Sequence, residues 1–295
     1  MAEELRSSLG REALAPQWDP PQVDTTRPHP ARIYDYLLGG KDNFPADRAA
    51  AQVALRALPE LRAMARANRA FLGRAVRFLA RAGIDQFLDL GSGVPGPGHT
   101  AQVVRAVAPG ARVVLVDYDP IVVAHSMALV DGGAGTGASA SADGGSGVGR
   151  LAVVQADVRD PQELLDRVRV REVLDFRRPV AVLMVALLHF VAEDEDAPGI
   201  VARFVREVSA GSAVVISHAT DGGQPERSQA ARRGWDQAAS RLVARSAGQI
   251  EGLFAGVEPV APGVVPLPLW RPDGPVTDDV GMIWLNGGVG FKREA

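Results

Sequence analysis

Three carboxylates stand at the ends of three apolar runs: Asp89 inside Gln86–Leu90, Asp117 directly after Arg112–Val116, and Asp157 directly after Leu151–Ala156. The first run empties into Gly91-Ser92-Gly93 and the second is rich in valine, so both read as buried parallel strands. Between them Thr100–Ala108 sets Val103, Val104 and Val107 on one helical face, with Thr100 as an N-cap and Pro109-Gly110 as a stop. A right-handed strand–helix–strand crossover carries the glycine turn and the acidic residues to one rim of the sheet, where open α/β folds hold their ligands. Carboxylates on that rim can accept hydrogen bonds from hydroxyls or amines on two oxygens each.

Gly91-Ser92-Gly93-Val94-Pro95-Gly96 also reads as G-x-G-x-x-G with an acid about 20 residues further on, the pattern of a dinucleotide site. Such a site needs its third glycine inside the helix that faces the pyrophosphate, but Pro95 and Pro97 push Val94 and Gly96 away from helical geometry. The helix is therefore expected to begin near His99 or Thr100. The loop is then too long and stiff for a pyrophosphate, and roomy enough for a nucleoside without one.

Leu88-Asp89-Leu90-Gly91-Ser92-Gly93 resembles motif I of the class I S-adenosylmethionine-dependent methyltransferases. That resemblance implies that Asp117 accepts from both ribose hydroxyls, that Tyr118 could lie against the adenine, and that Asp157 accepts from the exocyclic amine while the Val158 N–H meets a ring nitrogen. Read alone, Asp117 could be a helix cap and Asp157 a loop cap. The fourth apolar run, Pro179–Leu188, is followed by His189-Phe190. Class I enzymes place residues next to the transferred methyl there, which makes His189 a candidate general base or substrate-orienting group. A histidine hydrogen-bonded to backbone at a strand end is the alternative. Glu193–Asp196 reads as the acidic first turn of the following helix, favoured by the helix dipole.

A longer stretch carries a more specific likeness. ARIYDYLLGGKDNFPADRAA, then ARANRAFLGRAVRFLARAGIDQFLDLGSG and later LLHF, resemble a family of actinobacterial S-adenosylmethionine methyltransferases of mostly unassigned substrate. The likeness runs from Pro28 to Lys292. It implies that Tyr34, Lys41, Asp42, Asn43, Asn68 and Arg69 form a lid over the methionine end of the cofactor. On pattern alone, Gly39-Gly40-Lys41-Asp42-Asn43 also fits a helix C-cap and surface turn.

The elements that must position these groups follow from periodicity. Ala46–Leu58 and Glu60–Ala82 read as helices parted at Pro59, the second with Leu61, Met64, Phe71, Leu72, Val76 and Leu79 on its apolar face. Pro161–Val173, Ile200–Val208 and Ser228–Ala247 read as further helices, Ser212–Ser217 as a fifth strand, and Val257–Val260, with Val264-Val265 as an optional extension, and Val280–Leu285 as a closing pair of strands. The expected architecture is α/β: a three-layer α/β/α sandwich on a seven-stranded, mostly parallel sheet with an antiparallel last strand, preceded by a helical N-terminal cap. Residues 1–27 read as a flexible arm, 28–82 as the cap, and 83–295 as the methyltransferase domain, with a flexible Gly/Ser-rich insertion over 131–149.

The bulk numbers agree with one large domain. Of 295 residues 46% are hydrophobic and 23% charged, ample for a core, and a net charge of -3 gives no electrostatic reason to expect a nucleic-acid partner. The absence of cysteine excludes disulfides and thiolate metal sites and suits a cytoplasmic protein. No apolar stretch approaches a membrane span, and the first residues lack the features of a secretory signal. The expected activity is methyl transfer to a small-molecule acceptor, with no metal. Two rivals stand beside it: a non-catalytic protein that binds S-adenosylmethionine or S-adenosylhomocysteine, and an NAD-dependent oxidoreductase using the same glycine turn.

Overall fold

The structure, a computed structural model, describes residues 24–132, 149–221, 229, 233, 235, 241–276 and 278–294. Most of the expected arm, most of the Gly/Ser-rich insertion and half of the helix expected over Ser228–Ala247 lie outside the described residues. The last part of that stretch, Arg241–Ser246, is not helical. It is tied to the sheet instead: the Val243 N–H donates to the His189 carbonyl at 2.8 Å and the Arg245 N–H to the Ala219 carbonyl at 3.0 Å.

Helices α1 (Pro30–Leu38), α2 (Pro45–Ala57) and α3 (Leu61–Arg81) precede β1 (Gln86–Leu90). The chain then runs through α4 (Thr100–Val107), β2 (Arg112–Asp117), α5 (Pro120–Gly132), β3 (Leu151–Gln155), α6 (Pro161–Asp166), α7 (Val168–Val173), β4 (Ala181–Val185), α8 (Ala197–Glu207) and β5 (Ala213–Ala219). The helix expected over Pro161–Val173 is two, parted at Arg167, whose ψ of 125° is not helical. The acidic run Glu193–Glu195 is a separate 3-10 turn, and Asp196 caps α8 by accepting from the Gly199 N–H. His99, not Thr100, occupies the N-cap position of α4.

The sheet has the order β3-β2-β1-β4-β5, all parallel, so the order reverses between β1 and β4, where folds of this kind form their crevice. Beyond β5 lies the antiparallel β8 (Leu285–Phe291), which pairs in turn with the two-residue strands β6 (Glu258–Pro259) and β7 (Val265–Pro266). The expected closing strand over Val280–Leu285 is therefore displaced, and Asp278–Met282 forms a 3-10 turn. The glycines of Asn286–Phe291 sit in the strand because its neighbours come too close for side chains. A Cβ on Gly287 would lie 2.5 Å from the Ile216 carbonyl oxygen and 2.8 Å from Leu267 Cδ2.

Side-chain alternation decides which face each rim residue serves. Leu88, Leu90, Val114, Val116, Val182, Met184, Val214 and Ile216 pack with α6, α7 and α8 on one face. Phe87, Val113, Leu115, Leu183, Ala213 and Val215 pack with α3 and α4 on the other. Asp89, Asp117 and Ser217 share the parity of this second set, so they face α3 at the carboxyl ends of the strands. A third cluster holds the cap together: Ile33 and Leu37 of α1, Ala50, Ala51 and Ala54 of α2, Ala65 of α3 and Trp235. Gly287→Ala is expected to lower stability by about 1–3 kcal/mol through overpacking, read as a lower urea midpoint at unchanged slope. An unchanged midpoint would mean that β8 yields without strain.

Candidate functional site

The turn after β1 is shaped by glycines in the left-handed region, Gly91 at φ 67° and Gly93 at φ 69°. It is pinned to β2 by two backbone donors: the Ser92 N–H to the Val116 carbonyl at 2.9 Å, and the Gly93 N–H to Asp117 Oδ2 at 3.0 Å. The other carboxylate oxygen, Asp117 Oδ1, accepts from the Asp119 N–H at 3.0 Å. Each oxygen of Asp117 therefore keeps acceptor capacity for one further donor, as a vicinal diol requires. Asp117 is only 6% exposed, and burial raises its pKa above the ordinary value against the pull of these N–H groups.

Asp89 is 4% exposed and faces α3. Burial pushes its carboxyl up to about 7, although the Thr100 hydroxyl and the Arg69 guanidinium act the other way. Arg69 lies over the Tyr34 ring at 5.5 Å, and its side chain would touch a Cβ on Gly98 at 3.3 Å. His99 is 1% exposed, and burial together with Arg69 pushes its pKa down to about 3, so the ring is neutral. In this corner Arg69 Nε, both ring nitrogens of His99 and Thr100 Oγ1 are buried without a hydrogen bond of good geometry, Thr100 leaning on the Asp89 carboxyl and His99 on the Ser92 backbone. Buried polar atoms are rarely left so, and four together mark a place built for a polar ligand.

At the other end of the rim, Tyr118 is 49% exposed, with its ring 5.0 Å from that of His29 and the Arg159 guanidinium 6.0 Å from its centre. Asp157 is gripped by Arg159, with Nε at 2.9 and 3.0 Å and Nη2 at 2.5 Å, and Arg159 also reaches Glu195 at 3.2 Å. Burial works to raise the Asp157 pKa, but Arg159 outweighs it and holds the carboxylate below its ordinary range. Val158 beside it is buried.

His189 lies in the 3-10 turn Leu188–Phe190 just past β4. Its Nδ1 accepts from the Ala219 N–H at 3.4 Å, which leaves the proton on Nε2. Burial, with His218 and Arg245 nearby, holds its pKa well below the ordinary value. His218 in turn donates from Nδ1 to the Ala219 carbonyl at 2.7 Å and receives Arg245 Nη1 on Nε2 at 2.6 Å.

The cap reaches this rim through charges that no local pattern announces. His29 Nδ1 and Arg32 Nε lie 2.9 and 3.3 Å from Asp119 Oδ2, and Arg32 Nη1 lies 3.5 Å from Asp47 of α2. Tyr34 and Asn68 are joined by a hydrogen bond from Asn68 Nδ2 to the Tyr34 hydroxyl at 3.0 Å. The glycine-lysine loop organises itself around Asp35, whose carboxylate accepts from the Asp42 N–H and from Asn43 Nδ2. Asn43 also binds Arg48, Asp42 lies 3.7 Å from His125 of α5, and Lys41 is exposed. The rim thus gathers Asp89, Gly91, Ser92, Gly93, Asp117, Tyr34, Asn68 and Arg69. Asp42 and Asn43 spend their polar groups on the loop and on α5. His29, Arg32, Asp35, His99 and Ser217 were not picked out from the sequence as site residues, and of these only Ser217 left a signal, its parity on β5; Asp119 was legible only as the cap of α5.

A parallel sheet of this order, closed by an antiparallel strand and bearing a glycine turn after β1 and an acid after β2, defines a class I methyltransferase fold. The chain belongs to the S-adenosyl methyltransferase family, whose model matches residues 16–293. A Thermobifida fusca protein solved as a candidate methyltransferase is 41% identical over 94% of this chain and all of its own, with a TM-score of 0.82. A DUF574 family protein from Streptomyces avermitilis is 38% identical over 92% of this chain and all of its own, with a TM-score of 0.83. Among curated proteins none matches. The cofactor of the family is S-adenosylmethionine. The residues present fit it: free acceptor capacity on Asp117 for a diol, open space around the position a Gly93 Cβ would take, and the buried polar corner of Arg69, His99 and Thr100, whose hydrogen-bonding capacity is poorly used. Among the described residues no helix is long and apolar enough to cross a membrane.

The raised pKa of Asp89 makes a prediction about stability. In the unfolded chain this carboxyl ionises near 3.8, whereas in the fold it stays protonated up to about 7. Between those values the folded state binds more protons, so its contribution to stability falls as pH rises. Asp89→Asn is expected to flatten that decline and to stabilise the cofactor-free protein by up to about 4 kcal/mol at pH 8, with little change at pH 4. Urea unfolding across pH 4–8 checks this, and parallel curves for the two proteins would contradict it.

Proposed function

We propose that the chain transfers the methyl group of S-adenosylmethionine to a small-molecule acceptor in the cytoplasm, with the cofactor lying along the rim from Asp157 to Arg69. The observation that carries this reading is the Gly93 N–H to Asp117 hydrogen bond, which fixes the glycine turn against a buried carboxylate with acceptor capacity to spare. Asp117 would hold the ribose diol. The Val158 N–H would meet the adenine edge, with Tyr118 along its face, and Asp157 would accept from the exocyclic amine in exchange for one of the Arg159 contacts that fill its acceptor positions. The corner of Arg69, His99 and Thr100 offers donors to a carboxylate and, on the neutral imidazole, an acceptor to an ammonium, which suits an amino-acid zwitterion.

When bound, the cofactor supplies a methyl already activated by its sulfonium, so the protein's share is orientation and the exclusion of water. His189 would orient the acceptor as an N–H donor: its Nδ1 lone pair faces the Ala219 N–H and its proton sits on Nε2, so it has no free lone pair for a general base. The lid role of Tyr34 and Asn68 rests on their place at the junction of α1, α3 and the rim. Lys41, Asp42 and Asn43 would serve it indirectly, by shaping the loop between α1 and α2.

Calorimetry with S-adenosylhomocysteine, 5′-methylthioadenosine and NAD tests the reading. The wild-type chain is expected to bind the first two and not the third. Asp117→Ala should weaken both adenosine ligands by about 1–3 kcal/mol. His99→Ala should weaken only S-adenosylhomocysteine, which alone carries the amino acid. Binding of NAD alone, or equal loss of both adenosine ligands in His99→Ala, would contradict the proposed orientation.

A further inference from the structure

Ala186, the residue after β4, adopts φ 55°, a left-handed conformation that an alanine enters only against a steric penalty. Its N–H is held twice by Ser217 of β5, by the hydroxyl at 2.8 Å and by the carbonyl at 3.2 Å. The Ser217 hydroxyl, fully buried, donates in turn to Asn68 Oδ1 at 2.6 Å. Asn68 Nδ2 donates to the Tyr34 hydroxyl at 3.0 Å, and that hydroxyl donates to the Ala65 carbonyl at 3.0 Å. Every donor in the series points the same way, from the end of β4 through β5 and α3 to α1, so each bond polarises the next. The strained turn has a visible outcome. It carries Leu187 over the glycine loop, so near that a Cβ on Gly91 would lie 2.6 Å from Leu187 Cδ1, and it starts the turn that holds His189.

We propose that Tyr34, Asn68 and Ser217 form a positioning relay that ties the cap to the strained turn at Ala186 and so sets where Leu187 and His189 lie against the glycine loop. In the protein this makes the seating of α1 a condition for the geometry at the end of β4. In the relay the three side chains act through Ala186, which is separate from the lid role proposed for Tyr34 and Asn68. The relay is a property of the chain and does not rest on the proposed function.

Amide exchange of the cofactor-free protein, resolved at Ala186 and Leu187, tests it. Ser217→Ala and Asn68→Ala are each expected to speed exchange at Ala186 by about fivefold to tenfold, the effect of one buried hydrogen bond. The double variant is expected to be no faster than either single one, because both break the same series. Tyr34→Phe, which removes one hydroxyl, gives the same comparison should the alanine variants fail to fold, and is expected to speed exchange at Ala186 across a distance that a merely local loss would not span. Additive effects of the two alanine variants, or no effect of Tyr34→Phe at Ala186, would each overturn the relay. Affinity for S-adenosylhomocysteine, measured on the same proteins, keeps the two readings apart: absence of binding to the wild-type chain would refute the proposed function while leaving the exchange result to decide the relay.

Discussion

The Asp117 carboxylate is the constraint on which the rest of the site depends. Placed at the end of β2 on the face shared with α3, it accepts one N–H from the glycine turn and one from the turn into α5. Two loops from different crossovers are thereby held to a single buried anion, and neither could take another course without leaving it uncompensated. The left-handed glycines at 91 and 93 are what let the first loop approach so closely.

Through Asp119 the same turn also anchors the cap. Its side chain accepts from the Ile121 N–H at the start of α5 and meets His29 and Arg32, and Arg32 reaches on to Asp47 of α2. Buried ion pairs of this kind add little net stability, because desolvation offsets the attraction, but breaking one leaves a charge that nothing else satisfies. They therefore define geometry. The apolar contacts of Ile33, Leu37 and the α2 alanines give the cap its cohesion, while the charged contacts set where it sits relative to the rim.

The parallel part of the sheet was legible in the sequence because each strand is a short apolar run, the first three ending at a glycine turn or an acid, and such runs are buried on both faces. Gln86–Leu90 and the helix beginning beyond the prolines follow from local chemistry alone. An antiparallel last strand was expected, but its position was not legible. Leu285–Phe291 is a strand full of glycines, and the reason for them, the close approach of the Ile216 carbonyl and Leu267, belongs to residues far away in the chain. The same holds for the site. Asp89, Asp117 and Asp157 were readable from their spacing, whereas His29, Asp35 and His99 matter through contacts that have no sequence period. His189 lies between the two cases: its place was readable, but its tautomer depends on the Ala219 N–H one strand away.

The most direct measurement is a crystal structure of the chain with S-adenosylhomocysteine. The account predicts both ribose hydroxyls within hydrogen-bond distance of Asp117, the adenine between Tyr118 and Val158, and the amino-acid end among Arg69, His99 and Thr100. A ligand bound away from the rim of β1 and β2, or one running in the opposite direction with its adenine against Arg69, would contradict it.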